Sequence, residues 1–170
     1  MIRRLIRFGW LALIGLLVAG VTGYFVVSGS DEIPGHLLSS LLAFGCLSLV
    51  FLCTLLYLQG MARLVRRTVT ANEVERSFED RHRALRRRGR RWALAGLGAV
   101  VAVSLTGYPT HLGRWDPQVH HVLFYASLVV SGLSLWRLGP VVRREEELVR
   151  ELDAAVSDGT GDSISPGTVG

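Results

Sequence analysis

The stretch RALRRRGRRWALAGLGAVVAVSLTGY, Arg83 to Tyr108, changes character at a single residue. Arg83 to Arg91 holds six arginines in nine positions, and Trp92 to Tyr108 holds no charge. A guanidinium is costly in hydrocarbon, and basic residues collect beside spans on the cytoplasmic side. The junction at Trp92 therefore reads as the point where the chain passes from cytoplasm into lipid.

Three other blocks match this one. Phe8 to Val27 has no charge, His36 to Met61 has none, and Val119 to Trp136 has only its two leading histidines, His120 and His121. Each is about the length that crosses a hydrocarbon core of roughly 30 Å. The block from Trp92 is the shortest and fits a helix with little tilt. The fold expected is all-α, a bundle of four transmembrane helices.

Charge sets the orientation. All 19 basic residues are Arg, against 14 acids, a net charge of +5. Arg3, Arg4 and Arg7 precede the first block, eleven arginines lie between Arg63 and Arg91, and Arg143, Arg144 and Arg150 follow the fourth. The other two connections carry one arginine, Arg114, with Asp31, Glu32 and Asp116. The positive-inside rule then puts both termini and the middle connection in the cytoplasm of a multi-pass plasma (inner) membrane protein. The apolar block after the basic start runs about 20 residues, longer than the 7 to 15 of a cleaved signal. The first helix is therefore expected to be retained.

Two stretches share a beginning and an end. TGYFVVSGSDEIPGH (Thr22–His36) and TGYPTHLGRWDPQVHH (Thr106–His121) each start with Thr-Gly-Tyr and bring a His twelve positions after the Tyr. Superposing them puts His36 on His120, as expected of two similar helical hairpins in parallel orientation. The first helix carries Gly9, Gly15, Ala19, Gly20 and Gly23, and the third Ala95, Gly96, Gly98, Ala99 and Ala102. Small residues let helices approach closely in lipid, so the tightest contacts are expected to involve the first and third helices. Cys46 and Cys53, seven apart on one span, are too far apart for a disulfide and read as small buried hydrophobes.

Histidines near the outer ends of spans raise the question of a cofactor. Two imidazoles from different helices, His36 with His120 or His121, are the ligand set of a b-type haem, and His111, His120 and His121 are the residues that zinc or copper would take. Helical rise sets against this that His36 lies about 40 Å from Arg63, at headgroup level. Asp116-Pro117 also reads as an ordinary helix start, with Asp as cap and Pro in the first turn. No nucleophile elbow, phosphate loop or zinc-protease motif occurs, and no carboxylate lies inside any apolar block.

The organisation that follows is a first hairpin (1–67), a basic cytoplasmic loop (68–91), a second hairpin (92–139), a cytoplasmic helix (140–156) and a disordered tail (157–170). Val74, Phe78 and Leu85 share a helical face, so part of the loop is expected to lie flat on the bilayer. Gly139-Pro140 is expected to kink or end the fourth span. Val142, Leu148, Val149, Leu152 and Val156 form a stripe that packs on the middle loop or on a partner. The arginines of the loop face anionic headgroups, which requires no nucleic acid.

His36, YLQGMARLVRR (Tyr57–Arg67) and DPQVHH (Asp116–His121) resemble a family of small four-helix bacterial and archaeal membrane proteins. The resemblance covers the four spans through His36, Tyr57, Gly60, Arg63 and His120. It implies the topology and, because that family has no assigned activity, no reaction. The expected role is a non-catalytic accessory or interaction subunit, joined to other membrane subunits or to further copies of itself. The alternative is a haem-binding electron carrier.

Overall fold

In the computed structural model, residues 2–25, 33–111, 114 and 116–161 are described, with side chains for all of these except 22–25, 33–37, 108, 109, 111 and 159–161. The described regular structure is entirely helical: α1 (Ile2–Phe25), α2 (Ile33–Ala71), α3 (Ser77–His111) and α4 (Pro117–Gly161). α1, α2 and α4 are long and apolar enough to cross a membrane. α3, whose apolar block is the shortest in the sequence, falls short of that among the described residues. The cause is its composition: its first half, Ser77–Arg91, is strongly charged, and much of its apolar half is Ala and Gly.

Local chemistry accounts for the helix ends. The Asp116 Oδ1 accepts a 2.8 Å hydrogen bond from the Gln118 backbone N–H, so Asp116 caps α4 with Pro117 behind it, as the sequence led us to expect. At the end of α2 the Asn72 backbone N–H and side-chain Nδ2 both donate to the Thr68 carbonyl, at 3.1 and 2.9 Å. Glu73 follows with φ of 52°, in the left-handed region that glycine normally fills after a helix. Glu79 and Asp80 lie in the first turn of α3, where negative charge complements the helix dipole.

The helices pack in a ring, each against its sequence neighbours, with α1 closing on α4. The most extensive contact is between α3 and α4, and α1 and α3 sit across the diagonal. The two most extensive contacts both involve α3, as expected, whereas those of α1 are smaller, and the two helices do not meet each other closely. Gly15 and Gly98 face open space, and Ala95 and Ala102 are exposed. The glycines that do matter seat large side chains from neighbouring helices. A Cβ on Gly96 would stand 2.3 Å from the Phe51 Cζ on α2, and one on Gly20 would stand 2.2 Å from the Phe124 Cζ on α4. The short side chains facing inward from α4 are Ser127, Ser131 and Ser134, spaced at helical intervals and buried.

Leu16, Leu47, Val50, Phe51, Val100, Val103, Leu135, Leu138 and Val142 fill the core, all within 1% of complete burial. Cys46 and Cys53 are free and half-buried, as their spacing required. The outside of the bundle is as apolar as its core. Leu38, Leu41, Leu42, Leu49, Leu52 and Leu56 on α2 and Val119, Val122, Tyr125, Val129, Leu133 and Trp136 on α4 are all exposed. The α2 set rises about 27 Å along the helix, close to the thickness of a bilayer core.

α2, α3 and α4 continue past this apolar belt at one end of the bundle. The segment 68–91, expected as a loop, is helical apart from the turn 72–76. Val65, Val69 and Leu152 are buried there, with Val74 and Phe78 packed on them. Val74 and Phe78 are thus covered by α2 and α4, not laid flat on a bilayer. The stripe on α4 packs on this middle segment, the first of its two expected partners. Pro140 removes the amide that would bond the Trp136 carbonyl, yet α4 runs through it without ending. The tail expected from Ser157 is helical to Gly161, and residues 162–170 lie outside the described residues.

Candidate functional site

The two ends of the bundle differ in chemistry. At the end where α3 stops and α4 starts, Thr106 is buried and its hydroxyl lies 2.8 Å from the Val103 carbonyl. The same Oγ1 is 3.1 Å from the Nδ1 of His120, which is half-buried between α3 and α4. The next residue, His121, is exposed, because consecutive helical positions turn by about 100°. The rings of His120 and His121 are 6.3 Å apart and inclined by 49°. So of the two proposed partners for His36, only His120 faces a neighbouring helix. His36 and His111 lie on helices, but their side chains are outside the described residues, as is most of the Thr22–His36 stretch. Among the described residues, no group of three or more His, Cys, Asp or Glu comes together in a metal-binding arrangement.

The other end holds the buried charge. His82 on α3 is 3% exposed and Glu145 on α4 is fully enclosed. The His82 Nδ1 meets the Glu145 Oε1 in a close polar contact that lacks the angles of a well-directed hydrogen bond. The remaining polar atoms of the pair, Nε2 and Oε2, have no hydrogen-bonding partner among the described residues. Tyr57 of α2 is near enough to Glu145 and Glu146 to feel their charge. A buried charge is tolerated only when matched, so this pair ties the register of α3 to that of α4.

Around the pair runs an exposed layer of ion pairs. Arg3 on α1 bonds Glu146 at 2.5 Å, and Arg81 bonds Glu151 at 2.7 Å. Arg83 reaches Glu79 at 3.2 Å within α3. Where α3 and α4 enter the apolar belt, the Arg137 guanidinium lies 5.6 Å from the centre of the Trp92 ring and 5.0 Å from that of Trp136. Contacts of this kind orient a cation that would otherwise be free to move.

Neither His82 nor Glu145 was singled out in the sequence, although both lie on apolar faces visible there. Glu145 falls between Val142 and Leu148 in the stripe on α4, and His82 falls between Phe78 and Leu85 on α3. A polar residue at a core position of each of two adjacent helices was the available signal. Compared with models of known families, with curated proteins and with solved structures, the chain matches none.

Proposed function

We propose that this chain is an integral protein of the plasma (inner) membrane with both ends and the α2–α3 turn in the cytoplasm. In this reading it is a non-catalytic interaction subunit. The observation that carries the reading is the exposed apolar belt, bounded at one end by arginine on every helix. In water such a belt would drive aggregation, whereas in a bilayer it is solvated by lipid. α3 crosses with its neighbours, since Trp92 to His111 makes 20 helical residues, about 30 Å.

The cytoplasmic ends of α2, α3 and α4 support the interaction role. They form a helical platform with its own small core, in which the His82–Glu145 pair ties α3 to α4, and they carry a dense set of charged side chains outward. A rigid charged platform suits docking of a partner subunit at the membrane surface. The two hairpins are read as parallel copies of one unit, a reading supported by the matched Thr-Gly-Tyr and His positions.

Reporter fusions test the topology: positions 80 and 160 are expected on the cytoplasmic face and position 114 on the other. Native electrophoresis in mild detergent tests the role. The chain is expected to migrate in an assembly that exchanging Arg66 and Arg67 for Glu reduces in size. Migration as a lone chain in every mild detergent would remove the interaction role, and fusions reporting 80 and 160 on opposite faces would remove the topology.

A further inference from the structure

A cleft of about 740 Å³ opens between the exposed faces of α3 and α4 where the basic platform meets the apolar belt. Arg87, Arg88, Arg91 and Arg137 line it together with Trp92 and Ala95. No acidic residue contributes to its wall, and these four arginines form no ion pair among the described residues. Elsewhere at this end Arg3, Arg81 and Arg83 do find carboxylates. The cleft therefore gathers cations that the protein does not itself neutralise.

Its position selects the anion. Arg91 is the last charge on α3 before the apolar run, and Arg137 is the first charge on α4 after its own. Trp92 and Trp136 flank Arg137 at the same level, and Trp is favoured at the headgroup level of a membrane. From the cleft, Ala95, Gly98 and Ala102 run down one exposed face of α3, spaced so that they form a shallow channel with almost no side-chain relief. A phosphate at the arginines with a hydrocarbon chain along this channel satisfies both parts. Guanidinium forks suit phosphate oxygens, and basic pockets between spans on the cytoplasmic side are suited to anionic headgroups.

We infer that this cleft binds the phosphate headgroup of an anionic phospholipid from the cytoplasmic leaflet, with an acyl chain laid along Ala95, Gly98 and Ala102. The site rests on the membrane reading above and adds to it a specific ligand class. The small-residue channel faces lipid and serves the ligand, in place of the helix packing its composition led us to expect.

The experiment uses the full chain, and its first step is alkaline carbonate extraction of membranes. Release into the supernatant would sink the membrane reading itself before any lipid is added, and this proposal with it. The chain retained in membranes is then purified in neutral detergent, stripped of lipid and titrated with phosphatidylglycerol or phosphatidylcholine under native mass spectrometry. The parent is expected to prefer phosphatidylglycerol at least tenfold. The combined variant R88Q/R91Q/R137Q is expected to lose that preference to within twofold. R63Q/R66Q/R67Q, which removes the same charge from the cleft at the end of α2, is expected to keep it. Gly98→Leu, which obstructs the channel and leaves every charge in place, is expected to weaken phosphatidylglycerol binding several-fold. Should the triple variant lose helicity, R88Q and R137Q are read singly. Equal losses in the two triple variants would reduce the effect to unspecific attraction and overturn the site. Displacement of the lipid by low-millimolar glycerol phosphate would assign the cleft to a soluble phosphate compound instead. A dimer abolished by Gly98→Leu would assign the channel to a second copy.

Discussion

The buried pair of His82 and Glu145 permits a quantitative test of how α3 and α4 are held together beyond the apolar belt. His82→Leu alone leaves a carboxylate enclosed by apolar atoms with no counter-charge. Glu145→Leu alone leaves the buried imidazole without its polar partner. Breaking a buried pair from one side costs about 3–5 kcal/mol, while replacing both members with apolar residues of similar volume is often neutral or stabilising. Total stabilities are roughly 5–15 kcal/mol, so either single change removes a large part of the whole. The double variant His82→Leu/Glu145→Leu is expected within about 1 kcal/mol of the parent, because it removes all four polar atoms together. The coupling between the two sites is then at least about 5 kcal/mol, well above what non-contacting residues show. Unfolding of the full chain in detergent, followed by helical circular dichroism and extrapolated to zero denaturant, measures each corner of the cycle. If the single effects simply add, or if both singles fall within about 0.5 kcal/mol of the parent, the pair does not hold α3 to α4 and the reasoning fails.

Gly96→Ala is expected to destabilise the bundle by about 1–3 kcal/mol, because the Phe51 ring is enclosed and has nowhere to withdraw, whereas Gly98→Ala, facing open space, is expected to be neutral or slightly stabilising. Equal melting shifts for these two variants would contradict the ring packing described for α2 and α3. Glu73→Gly relieves a left-handed backbone at the α2–α3 turn and is expected to raise stability by about 1 kcal/mol, read as a higher denaturation midpoint. Asp116→Ala removes the cap of α4 at a cost of about 1 kcal/mol, and Asp116→Asn, which keeps an acceptor, is expected to recover most of it in the same unfolding measurement. The protein purified from haem-sufficient cells is expected to be colourless, and a Soret band lost on changing His36 and His120 to Ala would establish the electron-carrier alternative in place of the interaction role.

Much of the fold was legible because uncharged blocks and clustered charge extend over long stretches of sequence. The uncharged blocks gave the helices, and Asp116-Pro117 gave the start of α4. What escaped depends on three-dimensional neighbours. Gly96 and Gly98 look alike in the sequence, yet one receives a phenyl ring and the other faces outward, and only the helix arrangement tells them apart. The helical face of Phe78 and Leu85 was visible among the arginines, but that it is covered by α2 and α4, with His82 buried on it, depends on neighbours distant in sequence. Gly139-Pro140 was read as a kink or an end of the span, and α4 does not end there because packing holds both sides. Here Leu138, Val141 and Val142 are all buried around it. The pairing of His36 with His120 concerns a side chain outside the described residues and remains a matter for the spectroscopic test.

The unbroken course of α4 has a mechanical consequence. From Pro117 to Gly161 it is 45 residues long, about 67 Å, and it reaches from one side of the apolar belt to the far edge of the platform. A helix of that length is a lever: where it moves as one piece, a tilt of about 5° about its outer end displaces its inner end by about 6 Å, and Pro140 is the place where a bend would absorb the motion. On the topology proposed above, a partner that grips the platform is then mechanically linked to the opposite end of the bundle. Spin labels at positions 122 and 154 would show this as a fixed separation of about 48 Å in every state of the protein.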